Sequence, residues 1–85
     1  MNEELKKEVR EFILNLIKQF LGKKRFKPQE IEKEVVEAMG DKGITRRDVK
    51  KIIREMTDEG ILIYGYAGSS FLTLAEEQDK ELKGE

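Results

Sequence analysis

The spacing of apolar residues changes once along this chain, at Gly60, and that change restricts the fold more than any other feature. Before Gly60 the repeat is helical. Leu5, Val9, Phe12, Ile13, Leu16, Ile17 and Phe20 recur at steps of three and four, which draws one continuous stripe along a helix. The stripe predicts a first helix from about Glu3 to Leu21, with Gly22 as a left-handed C-terminal cap. Ile31, Val35 and Met39 form the narrower seam of a second helix. It opens at Pro28, whose missing N–H costs nothing in a first turn, and stops at Gly40. Glu30, Glu32, Glu34 and Glu37 fall outside that seam and read as a solvated face. Asp41-Lys42-Gly43 reads as a turn. Thr45 begins a third helix, with Asp48 three residues on as a short relative of the capping box. Val49, Ile52, Ile53 and Met56 face inward, and Gly60 ends it.

After Gly60 the repeat is that of strands. Ile61 to Tyr66 and Phe71 to Ala75 are β-branched, aromatic and leucine-rich, joined by Ala67-Gly68-Ser69-Ser70, the pattern of a hairpin. An isolated hairpin is marginal in water and has to lie against the helices. Leu62, Tyr64, Leu72 and Leu74 are the expected packing face. By alternation Ile61, Ile63 and Phe71 lean the other way, with Ile61 near enough to the helix end to be buried as well. Between the first two helices runs the basic connector Lys23 to Lys27, in which Phe26 is the only apolar residue. Phe26 is expected to anchor a short edge strand whose charged neighbours keep that edge from pairing; the cations also suit an arm touching phosphate or a partner. The expected fold class is therefore α+β: a winged helix-turn-helix of three helices, a short β-strand between helices one and two, and a C-terminal β-hairpin wing. Residues 1–75 form one domain. Residues 76–85 make a charged tail, nearly free of apolar side chains, expected to fray.

The missing residue types narrow the chemistry. The 85 residues contain no Cys and no His, so thiolate metal sites, disulfides, thiol nucleophiles, imidazole bases and His-containing triads are all excluded. Ser69 and Ser70 sit at a hairpin tip with no His partner, and Gly22-Lys23-Lys24 follows a helix instead of a strand, unlike a phosphate loop. No catalytic residues, metal ligands or cofactor site are expected. The apolar runs fall far short of the roughly 20 residues of a membrane span. Asn2-Glu3-Glu4 leads into no signal-peptide core. The expectation is a non-catalytic, cytoplasmic module with no membrane partner.

The net charge of −1 conceals strong segregation. Residues 22–27 and 46–54 each carry +4, residues 28–40, 55–60 and 76–85 each carry −3, and residues 61–75 carry no charge. At about 100° per residue, Arg46, Arg47, Lys50, Lys51 and Arg54 share one helical arc of about 140°. In a helix-turn-helix this is the helix that enters the major groove, where Arg and Lys read guanine. A solvated face of a chain that is 41% charged presents the same arc. The wing argues against DNA. Phosphate neutralisation supplies most of the affinity of a DNA binder, yet Ile63, Tyr64, Tyr66, Gly68, Ser69, Ser70 and Phe71 include no cation. The pI of about 5.6 is also far below the basic footprint of most nucleic-acid binders. Uncharged aromatic and aliphatic residues suit the centre of a protein–protein contact, or simply the closing of a small core.

Four stretches together resemble one known family. They are Lys24-Arg25-Phe26; Thr45-Arg46-Arg47-Asp48-Val49-Lys50-Lys51-Ile52-Ile53; Asp58-Glu59-Gly60-Ile61-Leu62-Ile63-Tyr64; and Gly68-Ser69-Ser70. With the second helix between them, they look like the dissimilatory sulfite reductase D (DsrD) family, over about residues 20–75. The resemblance implies a winged helix without activity of its own that binds and activates the siroheme sulfite reductase of sulfate and sulfite respiration. The siroheme, the iron–sulfur clusters and the sulfite chemistry would belong to that partner. Arg47, Lys50, Lys51, Tyr64, Gly68, Ser69 and Ser70 match the family pattern. The chain departs from it at Ile63, where a polar residue is expected, and in its Lys- and Glu-rich helices, a composition that suggests a thermophilic source.

Two readings follow from the sequence. In the first, Arg46, Arg47, Lys50, Lys51 and Arg54 dock on dissimilatory sulfite reductase together with wing residues Ile63, Tyr64, Tyr66, Gly68, Ser69, Ser70 and Phe71. In the second, the same basic helix binds DNA as a transcriptional regulator. The chain itself is expected to be a monomer or a weak homodimer associating through the wing.

Overall fold

A computed structural model describes residues 2–21, 23–66 and 70–75. It contains helices α1 (Glu3–Gln19), α2 (Pro28–Met39) and α3 (Arg46–Asp58), a single 3-10 turn over Gly40–Lys42, and strands β1 (Leu62–Tyr66) and β2 (Ser70–Leu74). The architecture is α+β, three helices and a two-stranded antiparallel sheet, compatible with a small winged-helix-like fold. Gly22, residues 67–69 and residues 76–85 lie outside the described residues, and with them the expected Gly22 cap, the expected hairpin-tip residues Gly68 and Ser69 and the expected fraying of the tail.

The helix starts follow local chemistry. Asn2 accepts a 2.7 Å hydrogen bond from the Leu5 amide and caps α1. At α2, Pro28 takes the first position and the Glu30 carboxylate reaches back to the Lys27 amide at 2.9 Å. That bond holds the Glu30 pKa below its ordinary 4.5. At α3 the expected box closes: the Asp48 amide donates to Thr45 Oγ1 at 3.3 Å and the Thr45 amide to Asp48 Oδ2 at 3.1 Å. Ile44 and Val49, the residue before the cap and the fourth of the helix, are both buried, as in a hydrophobic staple. Ile44 was not among the expected core positions. Its signal was this spacing around Thr45.

α1 ends at Gln19, two residues short of the expected Leu21. The Phe20 carbonyl accepts from the amides of both Lys23 and Lys24, each at 2.9 Å, and this turns the chain out of the helix. The Phe20 ring then meets Phe26 edge-on at 5.6 Å. Phe26 is buried and forms an antiparallel bridge to Leu72, whose amide donates to the Phe26 carbonyl at 2.8 Å. The expected edge strand between α1 and α2 is thus reduced to one bridge, and it fastens β2 to the helices.

The core draws on all three helices and both strands. Val9, Ile13 and Ile17 of α1 meet Ile31, Val35 and Met39 of α2, then Val49, Ile52, Ile53 and Met56 of α3, and are closed by Leu62, Leu72 and Leu74. Burying a side chain of this size contributes roughly 1.5–3 kcal/mol. Two ion pairs, Lys6–Glu55 and Arg10–Glu59, tie the rim of α1 to α3.

Three expectations are corrected. Tyr64 belongs by alternation to the face of Leu62 but is 46% exposed, because that face continues outward beyond the helices that cover it. Phe71 was expected to face a partner and is buried instead. It crosses the sheet opposite Gly65, and a Cβ on Gly65 would lie 2.4 Å from its ring, so the missing side chain leaves the space that the ring fills. The Arg25 guanidinium covers it at 4.7 Å. Glu32 was placed on the solvated face of α2 and is the buried charged residue among those described, 4% exposed. The period of α2 set its azimuth correctly; the approach of α3 closes over that azimuth.

Candidate functional site

α3 presents its cations as a row because its opposite arc is committed to the core. Arg47, Lys50, Lys51 and Arg54 are exposed and, among the described residues, form no ion pair. Arg46 differs. Its Nε lies 3.5 Å from Glu32 Oε1 and its Nη2 donates to the Gln29 carbonyl at 3.1 Å. Arg46 therefore links α3 to the first turns of α2, and only part of its donor fork is left for another molecule.

β1 brings the wing beside this row. Leu62, Tyr64 and Tyr66 alternate onto one face of the hairpin, and exposure along it rises from 0% through 46% to 81%. The gradient marks where the sheet leaves the core and becomes surface. Ser70 stands opposite Tyr66 and Leu72 opposite Tyr64. Ile63, on the reverse face opposite Thr73, is half-buried. The expected contact set therefore divides. Arg47, Lys50, Lys51, Arg54, Tyr64 and Tyr66 offer exposed surface; Arg46 is partly engaged; Ile63 and Ser70 are half-buried; Phe71 is removed.

Between α2, α3 and β1 lies a cleft of about 490 Å³ lined by Pro28, Glu32, Lys50, Ile53, Arg54, Thr57, Asp58 and Tyr64. Thr57 Oγ1 donates to the Arg54 carbonyl at 2.8 Å, so what the hydroxyl has left to offer is acceptor capacity. The cleft combines two carboxylates, Glu32 and Asp58, with two cations. Glu32 was missed as a site residue. Nothing in the spacing of α2 separates it from Glu30 or Glu34; only the packing of α3 across α2 encloses it.

Electrostatically the site is mixed. The outer arc of α3 is uniformly cationic, whereas the cleft sets Glu32 and Asp58 beside Lys50 and Arg54. Asp48 and Glu55 border the arc. Asp48 is held below its ordinary pKa first by the Thr45 amide, and Glu55 first by its bond to Lys6, with Lys51 adding attraction in both cases. Both carboxylates are therefore ionised across the neutral range. Such a surface can pair with carboxylates through its cations and accept an aromatic or aliphatic contact at Tyr64 and Tyr66. Comparisons with protein-family models, with curated proteins and with solved structures found no significant match.

Proposed function

We propose that this chain is a non-enzymatic, cytoplasmic regulatory protein of winged-helix type that docks on dissimilatory sulfite reductase through α3 and the wing. The observation that carries the reading is the joint placement of four exposed cations, Arg47, Lys50, Lys51 and Arg54, with exposed Tyr64 and Tyr66 beside an uncharged strand pair. Rim cations steer encounter with an acidic surface and set its orientation, while the desolvated aromatic centre supplies affinity. The choice of the reductase as that partner rests on the sequence resemblance to the DsrD family. Activation further requires that the protein bind one state of the enzyme more tightly than another, because equal binding shifts nothing.

The decisive assay measures turnover of purified reductase alone, with this protein, and with its Arg47→Glu/Lys51→Glu variant. The reading expects a rise with the native protein that the double variant loses. Equal turnover in all three would overturn it. The alternative, a DNA-binding regulator, draws on the same exposed cations of α3. Glu32 and Asp58 count against it, since phosphates seated against α3 would approach both carboxylates. It predicts duplex binding that weakens at least roughly tenfold between about 50 and 200 mM salt, and no mobility shift at low salt would remove it.

A further inference from the structure

A second hollow, of about 430 Å³, shares no lining residue with the α3 cleft. Its size falls within the usual range for small-molecule sites. Ile17 of α1, Leu21 just beyond its end, and Phe71 and Leu72 of β2 supply its apolar lining. Lys23, Lys24 and Arg25 stand together at the same hollow, and among the described residues no carboxylate lines it. Lys24 is partly committed, 3.7 Å from Glu30 and 4.8 Å above the Phe26 ring. Lys23 and Arg25 form no ion pair among the described residues. The C-terminal end of α1 would ordinarily repel an anion here, but the Phe20 carbonyl is already occupied by the Lys23 and Lys24 amides.

The apolar wall is built, not incidental. Phe71 lies down across Gly65 because no Cβ stands in its way, and Arg25 stacks on the ring from the connector side. The Arg25 guanidinium on that ring also lines the hollow, and its planar donor fork suits a carboxylate. An inorganic anion would leave the apolar walls unused. A neutral hydrocarbon would leave Lys23 and Arg25 without a counter-charge among the described residues.

We propose that this hollow binds an amphiphilic carboxylate, with an apolar body of about ten carbons between α1 and Phe71 and its charged head held by Lys23 and Arg25. The inference is independent of the docking role of α3. The site lies on the far side of Leu72 from Tyr64, so occupancy would be sensed by β2 without blocking the docking face.

The test titrates the full-length, isotopically labelled protein with sodium decanoate, sodium octanoate, glutarate and octyltrimethylammonium, following amide resonances. Decanoate is expected to saturate at submillimolar concentration and to shift Leu21, Lys23, Arg25 and Leu72. Octanoate, two methylenes shorter, is expected to bind roughly tenfold more weakly. Glutarate and the cationic amphiphile are expected to leave those residues unmoved. The Lys23→Gln/Arg25→Gln variant is expected to lose at least fivefold in decanoate affinity. The native ligand series stands without that variant should it fold poorly. Equal binding of decanoate and the cationic amphiphile, equal binding of glutarate, or shifts confined to Tyr64 and α3 would each overturn the proposal.

Discussion

α3 and the wing form one candidate surface, yet they are held in place by different means. α3 closes its own ends: Thr45 and Asp48 cap the start reciprocally, Ile44 and Val49 are buried around that cap, and Gly60 at φ 80° turns the chain away after it. The wing has two five-residue strands and no charged side chain. Its position depends on contacts with other parts of the chain: the Phe26–Leu72 bridge, the burial of Leu62 and Leu74, and Phe71 lying across Gly65. A surface made from a locally encoded element and a tertiary one can lose either half separately. The cations should survive changes that displace the tyrosines.

The sharpest break in that comparison is Leu72→Ala. Leu72 is 1% exposed and provides the amide that joins β2 to Phe26, so truncation should cost about 3 kcal/mol, measured by chemical denaturation. The resonances of Tyr64 and Tyr66 should broaden while those of α3 keep their dispersion. A loss no larger than that of a helix cap would show that the wing is less dependent on the core than its contacts imply. Next in size is Gly65→Ala. The added Cβ would meet the Phe71 ring at 2.4 Å, and the forced displacement should cost about 2 kcal/mol. The affected amides should be those of β1, β2 and Arg25.

Thr45→Ala tests the other half. Loss of the cap should cost about 1 kcal/mol, read as a fall in Tm of roughly 4–8 °C for a domain of this size. Helical signal, not the tyrosine environment, should change. The smallest effect is that of pH. Glu30, Asp48 and Glu55 all have folded-state pKa values below their ordinary ones, 4.5 for the glutamates and 3.8 for the aspartate. Their contribution is present above those values. It is lost as pH falls, because the unfolded chain takes up its protons first. Tm should therefore decline as pH is lowered through this range, and Asp48→Asn should flatten the decline. Residues 61–75 bear no carboxylate, so the wing should contribute nothing to it.

Much of this arrangement is legible residue by residue. The stripe from Leu5 to Ile17, the Pro28 start of α2, the Thr45–Asp48 box and the cationic arc of α3 each depend on neighbours within one helical turn or two. The spacing of those residues therefore carries the information. Phe26 as a strand anchor was readable too, as a lone apolar residue among cations. Alternation assigned Leu62, Tyr64 and Tyr66 to one face but not the depth of burial along it. It also placed Phe71 on the outer face, where burial came from a glycine on the neighbouring strand and an arginine from the connector.

The sequence by itself determined the order of elements, the caps and the azimuth of each charged or apolar side chain, since these follow from local hydrogen bonding and fixed periods of 3.6 and 2. Only the tertiary structure decided which azimuths are covered. α3 encloses Glu32 against α2 and draws Arg46 to it, the limits of the helical core leave Tyr64 and Tyr66 outside, and Gly65 gives Phe71 the room to lie flat. Burial depends on where a neighbouring element begins and ends, and no spacing within a single segment encodes that distance.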